Sequence, residues 1–414
     1  MRLVFVCDPG FVNGGASKVA IFSARGLAER GVQVSFVCAM GPVSPLLSHP
    51  AIKVHCLDFE SVWNDANPLA AAVKGIWNGQ ARRALEDILA PLPPEETIVH
   101  FHQWTKALSP SVLMAPGRYG LSSVVSLHDY FLGCPNGAYY RFPQGVPCSE
   151  KPMSASCIAS RCDSRSHLHK MVRVLRQIGT DMAVRRAGRS LSVINVSSFA
   201  GNVTEAFISK EHKRHLVLYP VEMIRDEPVP VKDNSEFIFV GRLNSEKGVR
   251  QLAQAARRTG LPLTFVGDGP LIDEIRALGG NIKCTGWVDS KTVGAYMNRA
   301  RALIFPSTWY ETGGLVALDA IARGIPVIVS KVTAPSDLIE DGVNGYVIDP
   351  NDADRLDSCM QALADGARAE RMGRAAYDRY WAKPQTAEAH ITNLMTVYET
   401  ILRERDSTPM ARAS

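Results

Sequence analysis

Residues 302–326, ALIFPSTWYETGGLVALDAIARGIP, decide how this chain is read. Ala302-Leu303-Ile304-Phe305 is an apolar run of the kind buried on both faces of a parallel sheet. A loop carrying Glu311 follows and closes on Gly313-Gly314. Beyond the glycines Leu315, Val316, Leu318 and Ile321 recur at helical spacing. Strand, glycine loop and helix in that order present backbone N–H groups and a helix N-terminus to an anion. Two acids make the stretch more than a phosphate cradle: Glu311 on the loop and Asp319 eight residues later. A separation of about two turns predicts that they share one helix face, each meeting a different part of a ligand.

The same grammar surrounds this stretch. Glu236–Val240 reads as a strand running into Gly241-Arg242-Leu243 and Glu246-Lys247-Gly248. Leu263–Val266 runs into Gly267-Asp268-Gly269-Pro270, and further strand ends are expected at 283–287, 327–329 and 346–348. Arg242 and Lys247 stand five residues apart at the first strand–helix turn. A forked guanidinium beside a point-charge ammonium suits a pyrophosphate. Backbone N–H groups of Gly313, Gly314 and Leu315 can add to them, so that a leaving nucleoside diphosphate is neutralised without a metal. Asp352-Ala-Asp354 precedes a helix and reads as a cap, not a metal motif.

The first half alternates likewise. Leu3–Cys7 is a strand, Gly14-Gly15 a turn toward whatever lies above the strand ends, and residues 19–28 a helix closed by Gly31. No G-x-G-x-x-G occurs there, which disfavours a dinucleotide cofactor. Ile98–Phe101 ends at His102 and Ser123–Leu127 at His128. Both histidines fall where α/β sheets bind ligands, and both are candidate ligand-facing groups. The expected organisation is an N-terminal domain over 1–220 with a cysteine-containing insertion at about 130–165, a linker over 221–234 and a C-terminal domain over 235–384. A helix over 385–405 and a disordered tail over 406–414 complete it.

Cys134, Cys148, Cys157 and Cys162 lie in the insertion with thirteen, eight and four residues between them. The last gap is compatible with a zinc knuckle, and a structural zinc site competes with four unrelated thiols or a redox-sensitive pair. From Arg161 to Arg189 eight basic residues face two acids, with Met171, Val172, Val174, Leu175, Ile178, Met182 and Val184 interleaved. This reads as a basic amphipathic helix, either a solvated face or a contact for an anionic membrane surface. No nucleic-acid motif accompanies it.

Composition sets the outer limits. A chain of 414 residues with 46% apolar and 21% charged residues has room for two or three globular domains. Residues 1–220 hold 23 Lys and Arg against 15 Asp and Glu, a net of +8, and the remainder nets −3. Two domains with different partners are expected from that asymmetry. Nine cysteines, an odd number, argue against a complete disulfide framework. No apolar run approaches the ~20 residues of a membrane span. MRLVFVCDPG is too short in its apolar part for a signal peptide. The expected location is therefore cytoplasmic, with peripheral attachment to an inner membrane face.

These motifs together resemble glycosyltransferase family 4, retaining sugar-nucleotide transferases. The matching residues are Gly14-Gly15, His128, Gly241-Arg242-Leu243, Glu246-Lys247-Gly248, Gly267-Asp268-Gly269-Pro270 and 306–326. The family signature is Glu, seven residues, Glu; here it is Glu311, seven residues, Asp319. The resemblance implies an α/β, GT-B fold of two Rossmann-like doubly wound domains facing each other across a cleft. It implies that Glu311 and His128 are catalytic, Glu311 toward the donor sugar. Arg242 and Lys247 would hold the diphosphate, Asp319 the ribose, and Trp287-Val288 would flank the base. Gly14, Gly15 and His102 would lie on the cleft's acceptor side. The implied reaction moves a hexosyl unit from a UDP- or GDP-sugar to a saccharide or lipid-linked acceptor, with no cofactor or metal. Polysaccharide, lipopolysaccharide or glycolipid assembly is the implied setting. A sugar-nucleotide epimerase of the same fold is the competing enzyme, and a catalytically impaired sugar-nucleotide-binding protein is the competing non-enzyme.

Overall fold

The computed structural model describes residues 1–406 apart from Trp63 and Ile224, and says nothing of the side chains of Arg189 and Asp406. The tail expected to be disordered lies outside the described residues from position 407 on. The chain falls into two compact units: residues 1–139, 149–220 and 387–414 in the first, 140–148 and 221–386 in the second.

The first unit is built on a seven-stranded sheet. Its strands are β1 (Arg2–Pro9), β2 (Gln33–Met40), β3 (Ile52–Cys56), β4 (Thr97–Gln103) and β5 (Ser122–Leu127), with β8 (Leu191–Asn195) and β9 (Arg214–Leu216) following a small hairpin. That hairpin, β6 (Tyr140–Arg141) with β7 (Val146–Pro147), belongs to the second unit. The sheet order is β3-β2-β1-β4-β5-β8-β9, and every pairing is parallel. Strands buried on both faces must read as continuous apolar runs, and Leu3 to Cys7 does so with every residue at or below 1% exposure. The order reverses between β1 and β4, which opens a crevice at their carboxyl ends. One face of the sheet is covered in part by the helix Ala387–Asp406, whose Ile391, Leu394, Val397, Tyr398 and Ile401 join the core of this unit.

The second unit repeats the plan with β10 (Glu236–Val240), β11 (Leu263–Val266), β12 (Ile282–Cys284), β13 (Ala300–Phe305), β14 (Val327–Ser330) and β15 (Gly345–Ile348). All pairings are again parallel, in the order β12-β11-β10-β13-β14-β15, so the reversal falls between β10 and β13.

Two boundaries differ from expectation. Residues 221–234 are not a free linker: Val221 and Val231 are buried in the second unit's core. Residues 140–148 leave the insertion for the second unit, because Tyr140 is buried there with its hydroxyl 2.6 Å from Thr308 Oγ1. Alternating polarity cannot announce such an excursion, since a two-residue strand carries almost no periodicity.

Candidate functional site

In the second unit the candidate groups gather above the ends of β10 and β13, at the reversal of strand order. The helix Leu315–Ala322 starts only after Gly314, its N-cap, at φ 73°. A Cβ on Gly314 would meet the Pro335 ring at 2.4 Å, so only glycine allows this approach. Glu311 stands four residues before the helix, held in a parallel bridge to Thr333. Its N–H donates to Val332 O at 3.2 Å, and its carbonyl accepts from Ala334 N at 2.9 Å. The expectation that Glu311 and Asp319 share a helix face is therefore corrected. The double-glycine loop delays the helix, and the two acids belong to different local structures.

The Glu311 carboxylate collects three donors on Oε2. They are Lys247 Nζ at 2.5 Å, Trp309 Nε1 at 2.8 Å and Ser307 Oγ at 3.3 Å. The Lys247 ammonium also sits 5.0 Å from the centroid of the Trp309 ring. The side chains of Lys247 and Glu311 are 20% and 15% exposed, so the pair is partly shielded and still open to a ligand. The loop carrying Lys247 approaches β13 through Gly248, at φ 71°, where a Cβ would lie 2.1 Å from Pro306 O. Thr308 N donates to Glu246 O at 2.9 Å and fastens the same two loops.

The remaining predicted residues of this unit are placed less closely. Arg242 is exposed, with no acid in ion-pair contact among the described residues. Gly313 is buried, and Leu315 lies in the first turn of the helix. Asp319 pairs with Arg323 of its own helix at 3.0 Å, a half-exposed i,i+4 contact of small energetic weight. Trp287 is 79% exposed and Val288 half-buried.

In the first unit the two predicted histidines turn inward. His102 lies within β4 at 3% exposure, so it is not a loop residue at the strand end. Its Nδ1 is 2.8 Å from His128 Nε2, and His128 Nδ1 is 2.7 Å from the Tyr219 hydroxyl. The rings of His128 and Tyr219 stack at 5.6 Å. His100 is held between the Tyr398 hydroxyl at 2.7 Å and Ser126 Oγ at 2.8 Å. His390 spans Ser23 Oγ at 2.9 Å and Leu218 O at 2.8 Å. These histidines share a cavity of about 10 Å³, room for one water and not for a sugar. The ligand-facing role expected of His102 is thus corrected. Burial in the strand core puts its ring among other rings.

Electrostatics follow from that burial. Desolvation lowers His128 to about 3 and His390 to about 4, and holds His100 and His102 well below 6.5. A histidine whose folded value is depressed adds stability above its unfolded value and loses it as pH falls. Asp129, raised to about 6 by burial, has the opposite sign and loses its contribution as pH rises through that value. Asp8 and Asp181, also raised by burial, share the sign of Asp129; the four histidines outnumber the three acids, so the thermal midpoint is expected to drop as pH falls from about 7 to about 4.5. Circular-dichroism melts would show this, and a flat profile would contradict neutral packing of the cluster.

Several residues escaped the sequence reading. Asp8, fully buried at the end of β1, accepts from the N–H groups of Lys106 (2.7 Å), Ala107 (3.0 Å) and Leu108 (2.9 Å) and fixes the turn after β4. An acid at the end of an apolar strand was the available signal. Tyr219 and Tyr140 had none, because their partners are 91 and 168 residues away.

Gly14, exposed at φ 108°, is the N-cap of the helix Gly15–Glu29, and Gly15 is exposed as well. The four-cysteine zinc site is corrected. Among the described residues no three His, Cys, Asp or Glu side chains are placed to hold a metal. Cys148 lies in the second unit, and Cys157 and Cys162 meet an ammonium. The basic helix, His167–Ala187, is also not uniformly outward. Lys170 is fully buried and Arg176 is 8% exposed. Arg176 donates to Pro135 O at 3.0 Å and lies over the Phe131 ring.

Residues 221–379 match the family described as Glycosyl transferases group 1. The chain is similar to a GDP-mannose-dependent alpha-mannosyltransferase of Corynebacterium glutamicum, 31% identical over 173 residues, 42% of this chain and 41% of that protein. It is similar to a glycogen synthase of Mycobacterium tuberculosis, 34% identical over 174 residues, 38% of this chain and 42% of that protein. The chain thus spans about two fifths of the length of the curated relatives it matches. Among solved structures, sucrose-phosphate synthase of Thermosynechococcus elongatus superposes with a TM-score of 0.71 at 18% identity, covering 97% of this chain and 99% of that one. The Anabaena protein HepE, solved in complex with UDP, superposes at 0.67 and 16% identity over 97% of this chain and 100% of that one. The fold of the chain is GT-B, with two Rossmann-like domains.

Proposed function

We propose that this protein is a retaining glycosyltransferase that moves a hexosyl unit from a UDP- or GDP-sugar to an acceptor hydroxyl in polysaccharide or glycolipid assembly. The observation that carries the reading is the Lys247–Glu311 contact above the β10/β13 reversal, beside the N-terminus of the helix Leu315–Ala322. Lys247 and Arg242 supply positive charge for a diphosphate, and the helix N-terminus supplies N–H groups. Glu311 supplies an acceptor for sugar hydroxyls, and Asp319 one for the ribose. The reading needs no metal, because the cations and the helix end neutralise the leaving group. It rests on the second unit and not on His128, whose ring nitrogens meet His102 and Tyr219.

A thermal-shift panel of UDP-, GDP- and ADP-sugars tests the donor. A ligand at 100 times its Kd adds about 2.7 kcal/mol, and one base is expected to stand out. No shift with any of the three would reject a nucleotide-sugar site. A lipid-linked acceptor draws support from Leu168, Leu175, Ile178 and Met182, 49–74% exposed along one helix with Arg185 and Arg186 outward at its end. Co-sedimentation with phosphatidylglycerol vesicles, and not with phosphatidylcholine ones, is expected. Equal recovery in both pellets would count against a charged membrane contact. No helix among the described residues is long and apolar enough to cross a membrane.

A further inference from the structure

Lys170 is a buried cation without a carboxylate. It sits in the first turn of the helix His167–Ala187 at 0% exposure, and among the described residues no acid is in ion-pair contact with it. Its ammonium instead faces sulfur: Cys162 Sγ at 3.2 Å and Cys157 Sγ at 3.7 Å. Cys162 Sγ has a second donor, Asn136 Nδ2, at 3.3 Å. Burying an ammonium is costly unless an anionic or strongly accepting group meets it. An ammonium and an amide N–H thus converge on one sulfur, with a second thiol beside it.

We propose that Cys157, Cys162 and Lys170 form a redox-modification site, in which a hydroperoxide oxidises Cys162 and Cys157 then closes a disulfide with it. In the first step the Cys162 sulfur attacks the terminal peroxide oxygen. The O–O bond breaks, Cys162 becomes a sulfenic acid, and water (or an alcohol, from an organic hydroperoxide) leaves. In the second step the Cys157 sulfur attacks the Cys162 sulfur, the S–O bond breaks and a second water leaves. Two thiols are oxidised by two electrons in all, and one peroxide is reduced. The Lys170 ammonium, 3.2 Å from the attacking sulfur, is placed to return a proton to the departing oxygen.

The surroundings suit such a reaction. Both sulfurs converge on one nitrogen and are separated in sequence only by residues 158–161. Their cover is thin: Cys157 and Cys162 are 5% and 3% exposed, while Ser156 and Arg161 beside them are exposed. Cys157 belongs to a helix of only five residues, Ala155–Ala159, which opens at little cost. The helix bearing Lys170 also anchors the segment after β5. Arg176 donates to Pro135 O, Arg173 to Asn136 O at 3.3 Å and Gln177 to Leu132 O at 3.2 Å. Forming the disulfide removes the sulfur acceptors from Lys170 and loosens that helix where it holds the segment.

Peptide mapping tests the site without reference to sugar transfer. The full chain is exposed to graded hydrogen peroxide, alkylated and digested with trypsin, which cuts at Arg161 between the two cysteines. The expected product is the Cys157 and Cys162 peptides joined with loss of two hydrogens and separated again by dithiothreitol. It should form at least about tenfold faster than oxidation of Cys359, which is buried and, among the described residues, has no ammonium in hydrogen-bond contact with its sulfur. Cys162→Ser should abolish the product. Lys170→Met should slow it about tenfold. Should that variant fail to fold, the ratio of Cys162 to Cys359 oxidation in the wild-type chain decides alone. Equal rates at the two residues, a bridge from Cys162 to Lys170, or one equivalent of zinc bound through Cys157 and Cys162 would each overturn the proposal.

Discussion

Glu311→Ala is expected to lower kcat by about 10²–10³-fold, or more, with the fold intact. The carboxylate is 15% exposed and its lysine partner 20%, so removing it strands no deeply buried cation. The melting temperature should therefore move little. Affinity for the free nucleoside diphosphate should hold or tighten, because Lys247 loses the acid that competes with phosphate for its ammonium. That split, with turnover lost and product binding kept, separates a role at the donor sugar from a general loss of the site. An unchanged turnover would remove Glu311 from the chemistry, and equal loss of both would make it structural.

Gly248→Val is expected to destabilise the second unit by about 2–4 kcal/mol and to abolish donor binding with it. Two terms add. The residue sits at φ 71°, and a Cβ would fall 2.1 Å from Pro306 O, a backbone atom that cannot step aside. Relief requires the loop carrying Lys247 to part from the end of β13, which pulls the ammonium from Glu311. Gly260→Ala is the internal control, at φ 70° with nothing within 4 Å of its Cβ. It carries the backbone strain alone and should cost about 1–2 kcal/mol. Urea denaturation of both variants measures the difference. Equal losses would show that the contact with Pro306 contributes nothing.

The double winding was legible because the evidence for it is local. Apolar runs such as 3–7, 237–239 and 302–305 are buried on both faces of a parallel sheet, so polarity alone marks them. The glycines at 248 and 314 were legible for the same reason: a positive φ at a crowded position admits nothing else. The end of the second unit that carries Lys247 and Glu311 followed from strand–loop–helix order, and both residues stood out in their loops.

Sequence by itself determined the repeating βαβ units, the residues at their strand ends and the charge of the groups above them. Tertiary structure alone decided which of those groups meet. It set Lys247 against Glu311 across 64 residues and gave Asp319 to Arg323. It turned His102 and His128 onto each other and onto Tyr219. It also surrounded the Lys170 ammonium with thiols where spacing had suggested zinc. The physical reason is that periodicity and turn chemistry act over a few residues, whereas hydrogen-bond partners are chosen by whatever the packed sheets bring within about 3 Å.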